Sequence, residues 1–486
     1  MAEAKMEGEY KQIVDRLRAS YKSGKFRSLD TRLHQLKQFL CMIEENEDAL
    51  FAAIKKDINK PKVEANFLEI LLMKVELGNA IKNLSTWMTP ERVTPDLINK
   101  LNTCEIISEP YGVVLVIGAW NYPLSLALQP AIAAIAAGNS VIIKPSELSE
   151  NTASVIEEIV PKYMDKDCMT VVSGGVPETT ALLRQRFDYI FYTGGTFVAK
   201  IIMKAAAEYL TPVTLELGGK CPAFVDSTCN FQVIGQRIAW AKYCNAGQTC
   251  LTIDYIVCID DCQDQLIESI KTAVIKFYGE DQKNSESYGR IVNKRHFETA
   301  VAFVQVFILY KRVCNLIDFD KVVYGNIKDE EDLYISPTIL KDVSPEDKIM
   351  QEEIFGPLLP ILPMESLDDA IDFVNGREKP LAVYVFSNDQ KIINRVKNET
   401  SSGGMCINDA MMHAAVPSLP FGGVGYSGMG SYHGKFGFDT FSHKKSYLCK
   451  NQRMESVNAV RYPPYDENWK VLQWLEWMLI PMKVSK

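Results

Sequence analysis

Along the first hundred residues the apolar positions recur at helical spacing. Leu33, Leu36, Phe39, Leu40 and Ile43 share one face in a polar background, the pattern of amphipathic helices. The rhythm changes at Val113, where short β-branched runs begin at 113–117, 141–143, 171–172, 189–192 and 213–215. Stretches 123–137, 150–163 and 196–210 lie between them and read as helices. Strands alternating with helices predict a doubly wound parallel sheet. The alternation restarts near Leu217, with strands expected at 223–225, 255–259 and 382–386 and helices at 263–278 and 367–375. The expected fold class is α/β, with two doubly wound lobes. Segments 95–110 and 421–450 fit neither lobe and are expected to form a small bridging or oligomerisation strand unit.

No charged residue occurs from Val113 to Ile143, a length that by itself suggests a membrane span. Pro123, Pro130 and Gly138 interrupt it, and Asn121, Gln129 and Asn139 lie within it. It therefore reads as strand, loop, buried helix and strand.

Composition adds mainly exclusions. With 486 residues, 47% hydrophobic and 23% charged, the chain matches an ordinary globular protein able to bury a large core. The net charge of -8 argues against a nucleic-acid footprint. Twelve cysteines at irregular spacing, without a CxxC pair, suggest reduced intracellular thiols more than a disulfide framework or a zinc site. No metal is expected, and the charged opening MAEAKMEGEYKQ does not read as a signal peptide.

In open α/β sheets, ligands bind beyond the carboxyl ends of the strands. Those ends carry Gly118–Asn121, Lys144–Glu147, Ser173–Gly175 and Thr193–Gly195, small or polar residues that suit a nucleotide. Thr193-Gly194-Gly195-Thr196 at a strand-to-helix junction offers free N–H groups to a phosphate, although it lacks the GxGxxG spacing. Cys250 follows the small, polar turn Asn245-Ala246-Gly247-Gln248-Thr249, which can expose a thiolate nucleophile. Glu216 ends an apolar strand before two glycines, a setting that raises a carboxyl pKa towards general-base range. Asn121, after one strand and before a helix, offers an amide to a developing oxyanion. Each also has a plain structural reading: a buried thiol, a Glu216–Lys220 pair, and a capping asparagine. Lys144 and Glu147 read either as ribose contacts or as solvated surface.

Taken together and in order, GAWNYP (118–123), IIKPSELSENTA (142–153), FYTGGT (191–196), TPVTLELGGK (211–220), NAGQTC (245–250), MQEEIFGP (350–357) and SLPFGGVGYSGMGSYHGKFGFDTFSH (418–443) resemble the aldehyde dehydrogenase superfamily. They are most similar to its class 3 branch of fatty and aromatic aldehyde dehydrogenases. The resemblance spans nearly the whole chain to about Pro464. It implies oxidation of medium- or long-chain aliphatic or aromatic aldehydes to carboxylic acids, with NAD ranked first and NADP alongside it. Cys250 would attack the aldehyde carbon, Asn121 and the Cys250 N–H would hold the oxyanion, and Glu216 would activate the hydrolytic water. Lys144, Glu147, Thr193, Gly194, Gly195, Leu217, Glu352 and Phe355 would contact the cofactor, with Glu352 and Phe355 at the nicotinamide ribose.

The resemblance also implies a dinucleotide-binding domain at 1–94 and 111–216, a catalytic domain at 217–420, a bridging unit at 95–110 and 421–450, and a tail at 451–486. A homodimer is expected. The competing readings are a catalytically silent structural member and an enzyme passing its acyl group to coenzyme A. The sequence departs from the family pattern at Gly195, at Ala199, at Leu251–Asp254 and in a longer apolar segment around 303–319. That segment reads as a surface excursion, a partner contact or an error in the gene sequence. In the tail, residues 469–481 carry three tryptophans and a polar stripe of Lys470, Gln473 and Glu476. Such a helix suits a membrane interface or a cap over the substrate tunnel. The expected location is the cytoplasm, with association at the cytoplasmic face of the endoplasmic reticulum or another membrane as the extension of that reading.

Overall fold

A computed structural model describes residues 2–95, 99–100, 102–303 and 321–450, together with scattered positions up to Gln473. The N-terminal segment is helical as its spacing predicts, with helices Ala2–Ser23, Leu29–Glu45, Glu47–Ile58 and Leu71–Trp87. Leu36, Phe39, Met42 and Ile43 form the buried stripe of the second helix, and Ser28 caps its N-terminus by accepting from the Thr31 N–H. A short helical turn (Lys62–Ala65) and a π-helical turn (Asn66–Ile70) lead into the fourth.

In chain order the strands are β1 (Glu91–Arg92), β2 (Thr103–Pro110), β3 (Val113–Ile117), β4 (Ser140–Lys144), β5 (Met169–Val171), β6 (Tyr189–Thr193) and β7 (Val213–Glu216). They continue with β8 (Pro222–Val225), β9 (Tyr255–Ile259), β10 (Val322–Tyr324), β11 (Lys328–Asp329), β12 (Tyr334–Ile335), β13 (Thr338–Leu340) and β14 (Leu358–Met364). The last are β15 (Ala382–Phe386), β16 (Gly404–Ile407), β17 (Gly428–Met429) and β18 (Ser442–Cys449).

The first lobe is a six-stranded sheet in the order β17-β7-β6-β3-β4-β5, parallel except at β17. Every residue of β3, β4 and β6 is buried, because helices cover both faces; this is why those strands read as continuous apolar runs rather than alternating ones. The uncharged stretch resolves into β3, the buried helix Ser125–Ala137 and β4, as the interrupting residues predicted. The second lobe is a seven-stranded sheet in the order β10-β13-β14-β9-β8-β15-β16, with β10 antiparallel at its edge.

The segments expected to bridge contribute to a three-stranded sheet, β1-β2-β18, with β18 pairing antiparallel to β2 from Ser442↔Pro110 to Cys449↔Thr103. Its boundaries differ from those expected in two places. Glu91–Arg92 joins it from the helical segment. Within 421–450, only β18 belongs to it: Gly428 pairs instead with Glu216 at the edge of the first-lobe sheet. The 303–319 segment, apart from Phe303, and the end of the tail fall outside the described residues.

Candidate active site

The carboxyl ends of β3, β6 and β7 and the loop after the helix Phe231–Tyr243 converge on one cleft. That loop turns through three consecutive left-handed residues, Asn245 (φ 52°), Ala246 (φ 51°) and Gly247 (φ 75°). Left-handed backbone strains residues bearing a Cβ, so the turn needs outside support. The Asn245 N–H donates to Glu64 Oε1 at 2.7 Å, and Asn245 Nδ2 donates to the Asn121 and Gln248 carbonyls at 2.8 and 3.0 Å. Gln248 Nε2 bonds the Asn245 and Arg290 carbonyls, and its Oε1 accepts from the Val292 N–H at 3.0 Å. At Gly247 a Cβ would lie 2.3 Å from the Gly356 carbonyl oxygen, so only glycine fits there.

This turn delivers Cys250 to an apolar cavity of about 100 Å³, lined by Phe67, Leu72, Tyr122, Trp240, Met411 and Tyr432 among others. The thiol is half-buried. Burial is the main influence pushing its pKa up to about 12; the charges of Glu353 and Glu216 add to it, while the N–H groups of Cys250 and Leu251 act the other way. Asn121 is buried beside the thiol's turn, its Nδ2 donating to the Gln248 carbonyl at 3.1 Å.

Glu216 closes β7, is 4% exposed, and has no hydrogen-bond partner for either oxygen among the described residues. Desolvation therefore holds its pKa well above the ordinary carboxylate value. Lys220 does not pair with it, which removes the plain reading of Glu216. The Lys220 ammonium goes to Asp254 at 2.5 Å and to the carbonyls of Ile349 and Glu352.

At the expected nicotinamide end the two adjacent glutamates are placed differently. Glu352 is exposed, and its carbonyl accepts from Lys220. Glu353 instead turns inward, accepts from the Gly219 N–H at 3.0 Å and is pushed up to about 8, mainly by burial. A Cβ on Gly218 would lie 2.3 Å from its Oε1. Phe355 is left-handed (φ 48°), and its ring meets Trp120 edge-on at 5.4 Å between centroids.

Lys144 is buried and pairs with half-exposed Glu147 at 2.7 Å. Burial raises the Glu147 pKa, but the Lys144 hydrogen bond and charge outweigh it, for a net lowering. Thr193 is buried with its Oγ1 unpartnered among the described residues. The Gly194 N–H bonds the Glu216 carbonyl at 3.1 Å, and Gly195 faces open space at the start of the helix Thr196–Ala207. Exposed Val176 and Phe197 lie near the N-termini of the two helices beside it. An orphaned hydroxyl, an open helix start, a carboxylate–lysine pair and exposed apolar side chains fit a dinucleotide. Leu217 is buried, and its N–H donates to the Ser427 carbonyl.

The structure thus brings Cys250, Asn121 and Glu216 to one cleft and gathers Lys144, Glu147 and Thr193–Gly195 along the same sheet edge. Sequence reasoning missed Glu353, the aromatic lining of the cavity, the buried pair Lys60 and Glu69, and half-buried Glu64. A thiol at an apolar cavity, with an amide donor beside its turn and a carboxylate that has no partner among the described residues, can perform acyl chemistry through sulfur.

The chain matches the description "Aldehyde dehydrogenase family" over residues 2–447. It is 49% identical to aldehyde dehydrogenase family 3 member A2 of Rattus norvegicus over 467 residues, covering 96% of this chain and 93% of the relative. It is 50% identical to the dimeric NADP-preferring aldehyde dehydrogenase of Mus musculus, covering 93% and 97%. Among solved structures, the substrate-bound Staphylococcus aureus AldH superposes with a TM-score of 0.91 at 42% identity, covering 96% of this chain and 99% of that one.

Proposed function

Because this chain belongs to the aldehyde dehydrogenase family, we propose a division of labour among its residues for the NAD(P)-dependent oxidation of an aldehyde to a carboxylic acid. Cys250 Sγ gives its proton to solvent and adds to the aldehyde carbon, making it tetrahedral. The Asn121 amide and the Cys250 N–H hold the oxygen that gathers negative charge, an arrangement worth roughly 3 kcal/mol per donor in acyl transfer. A bound nicotinamide dinucleotide supplies the two-electron acceptor for the hydride of that carbon. Cys250 then carries the acyl group as a thioester. Glu216 takes a proton from water as the water attacks the acyl carbon, and the thiol departs from the released acid.

Lys144, Glu147 and the Thr193–Gly195 turn hold the adenosine end. Phe355 and Glu353, in place of Glu352, hold the nicotinamide ribose, with Leu217 beside it. The domain assignment follows: a dinucleotide-binding lobe on the β3–β7 sheet and a catalytic lobe on the β8–β16 sheet. The carboxylate of Glu147 repels a 2′-phosphate, which favours NAD over NADP. The apolar lining around Cys250 favours medium- or long-chain aliphatic and aromatic aldehydes. A carboxylate kept free of partners at 216 favours transfer to water over transfer to coenzyme A.

The observation that carries this reading is the convergence of Cys250, Asn121 and an unpaired Glu216. Hexanal and benzaldehyde, each with NAD and with NADP, should give reduced dinucleotide absorbance that Cys250→Ala abolishes. Full turnover by Cys250→Ala would remove the mechanism.

The assembly we propose is a homodimer through the three-stranded sheet, whose β18 exposes Tyr447 and Leu448; a monomeric mass in sedimentation would overturn it. The location we propose is the cytoplasm, with peripheral membrane contact through the tail, where Trp469 and Leu472 are exposed. No helix among the described residues is long and apolar enough to cross a membrane. Equal liposome co-sedimentation of the full chain and of a version ending at Tyr465 would refute that contact.

A further inference from the structure

An ion pair lies beneath the nucleophile's turn with both side chains fully buried: Lys60 Nζ to Glu69 Oε1 at 2.6 Å, each 0% exposed. Burying such a pair costs several kcal/mol per ion in lost hydration, so it adds little to stability over an apolar pair of the same shape. What distinguishes it is where its remaining hydrogen bonds go. Lys60 Nζ donates to the Asn121 carbonyl at 3.1 Å and lies 3.9 Å above the Tyr122 ring. Glu69 Oε2 accepts from the N–H groups of Leu124 and Ser125 at 3.0 and 3.3 Å.

The pair therefore grips residues 121–125 at both ends. On the far side, Asn245 Nδ2 shares the Asn121 carbonyl, and the Tyr122 hydroxyl meets Thr249 Oγ1 at 2.7 Å, next to Cys250. Glu69 reaches this place from the π-helical turn Asn66–Ile70, a local deformation found frequently at functional sites.

We propose that the Lys60–Glu69 pair is a positioning unit for the oxyanion amide: it fixes the Asn121 backbone so that the side-chain N–H points where negative charge develops beside Cys250. The inference rests on the role given above to Asn121, and it assigns a task to two N-terminal residues outside those proposed to bind aldehyde or dinucleotide.

Acylation of Cys250 by p-nitrophenyl acetate without dinucleotide isolates this step. The thiol gives its proton to solvent and displaces p-nitrophenolate from the ester carbonyl through an oxyanion, leaving an acetyl-thioester, and the phenolate burst is read by its absorbance in stopped flow. The full-length enzyme, Asn121→Ala, Lys60→Met and the double variant form a cycle. Asn121→Ala is expected to slow the burst about 100-fold, the loss typical of one oxyanion donor. Lys60→Met is expected to slow it about tenfold, as a misplaced donor would, with the ester concentration at half-saturation unchanged.

The double variant should be no slower than Asn121→Ala, because a brace has nothing left to position once the amide is gone. Where Lys60→Met yields no folded enzyme, Glu69→Gln, which keeps an acceptor for Leu124 and Ser125, replaces it in the same cycle. A brace variant at the wild-type rate, or one that slows Asn121→Ala by the same further factor, overturns the positioning role and leaves the oxyanion reading standing. Asn121→Ala at the wild-type rate overturns the oxyanion reading and the brace with it.

Discussion

Replacing Glu216 by glutamine tests the step that makes the enzyme turn over. The amide matches the carboxylate in shape, and neither Glu216 oxygen has a partner among the described residues, so the substitution breaks no described hydrogen bond. What it removes is the base. General-base assistance contributes typically 10²–10⁴-fold, equivalent to about 3–5 kcal/mol of barrier. The nearest substitute, Glu353, is occupied by the Gly219 N–H, so thioester hydrolysis in Glu216→Gln should fall by at least about 100-fold. Formation of the thioester does not use the base. Mixing Glu216→Gln with aldehyde and NAD in stopped flow should therefore give one equivalent of NADH per active site, followed by a slow steady state. The pH dependence has a definite sign. Burial holds the Glu216 pKa well above the ordinary value, so its basic form appears only as pH rises through that raised pKa. Wild-type hydrolysis should climb across this range, and the glutamine variant should be flat. A variant without a burst and with wild-type steady-state turnover refutes the assignment; a burst produced by Glu353→Gln instead would transfer the role to that residue.

Two stability predictions follow from the same burial physics. Glu76 is 4% exposed, accepts from the Gly434 N–H and is raised from 4.5 to about 7, mainly by desolvation. The folded state holds this proton more tightly than the unfolded chain, so stability is lost as pH rises from about 4.5 to about 7. Glu76→Gln, which keeps the acceptor, should gain about 3 kcal/mol at pH 8 and nothing below pH 4; equal thermal melts for the two proteins at pH 8 would contradict this. Gly247→Ala places a Cβ 2.3 Å from the Gly356 carbonyl oxygen at a φ of 75°. It should lose roughly 1–2 kcal/mol to the left-handed backbone alone and, by shifting the turn, most of its p-nitrophenyl acetate burst; an unchanged melt and burst would show that the turn is not held as described.

Much of the scaffold was legible because the chain's local patterns and its buried surfaces coincide. The runs 113–117, 255–259 and 382–386 are strands at the expected limits, and 150–163, 263–278 and 367–375 are helices at theirs. Strands covered on both faces must be apolar throughout, and that leaves an unambiguous signal. The site was legible where a motif carries its own turn, as in the residues leading to Cys250. It was not legible where adjacent residues differ only in direction. Glu352 and Glu353 are the same side chain one step apart, and the fold around Gly218, Gly219 and Lys220 decides which of them enters the cleft. No local pattern singles out Lys60, Glu64 or Glu69 within the helical segment; the residues they meet, 121–125 and 245, lie far away in sequence. Likewise, Gly428 carries no pattern that would separate it from the bridging strands, and its place beside Glu216 is set by the strand it meets.

The strain in the turn and the chemistry of the thiol have one origin. Burial pushes the Cys250 thiol up to about 12, which favours the protonated sulfur. Glu353 and Glu216 are themselves raised by burial, and their charges push the thiol in the same direction. The groups that lower the cost of charge on sulfur are the backbone N–H groups of Cys250 and Leu251. Those N–H groups reach the sulfur at the end of the chain's passage through the left-handed residues 245–247. Relaxing the turn to ordinary backbone would redirect these dipoles, including the Cys250 N–H proposed to pass to the oxyanion once the sulfur has attacked. The hydrogen bonds that tie the turn to Glu64, Gln248 and Asn121 and hold it in its unfavourable shape are therefore part of how the nucleophile is activated, although none of them touches the thiol.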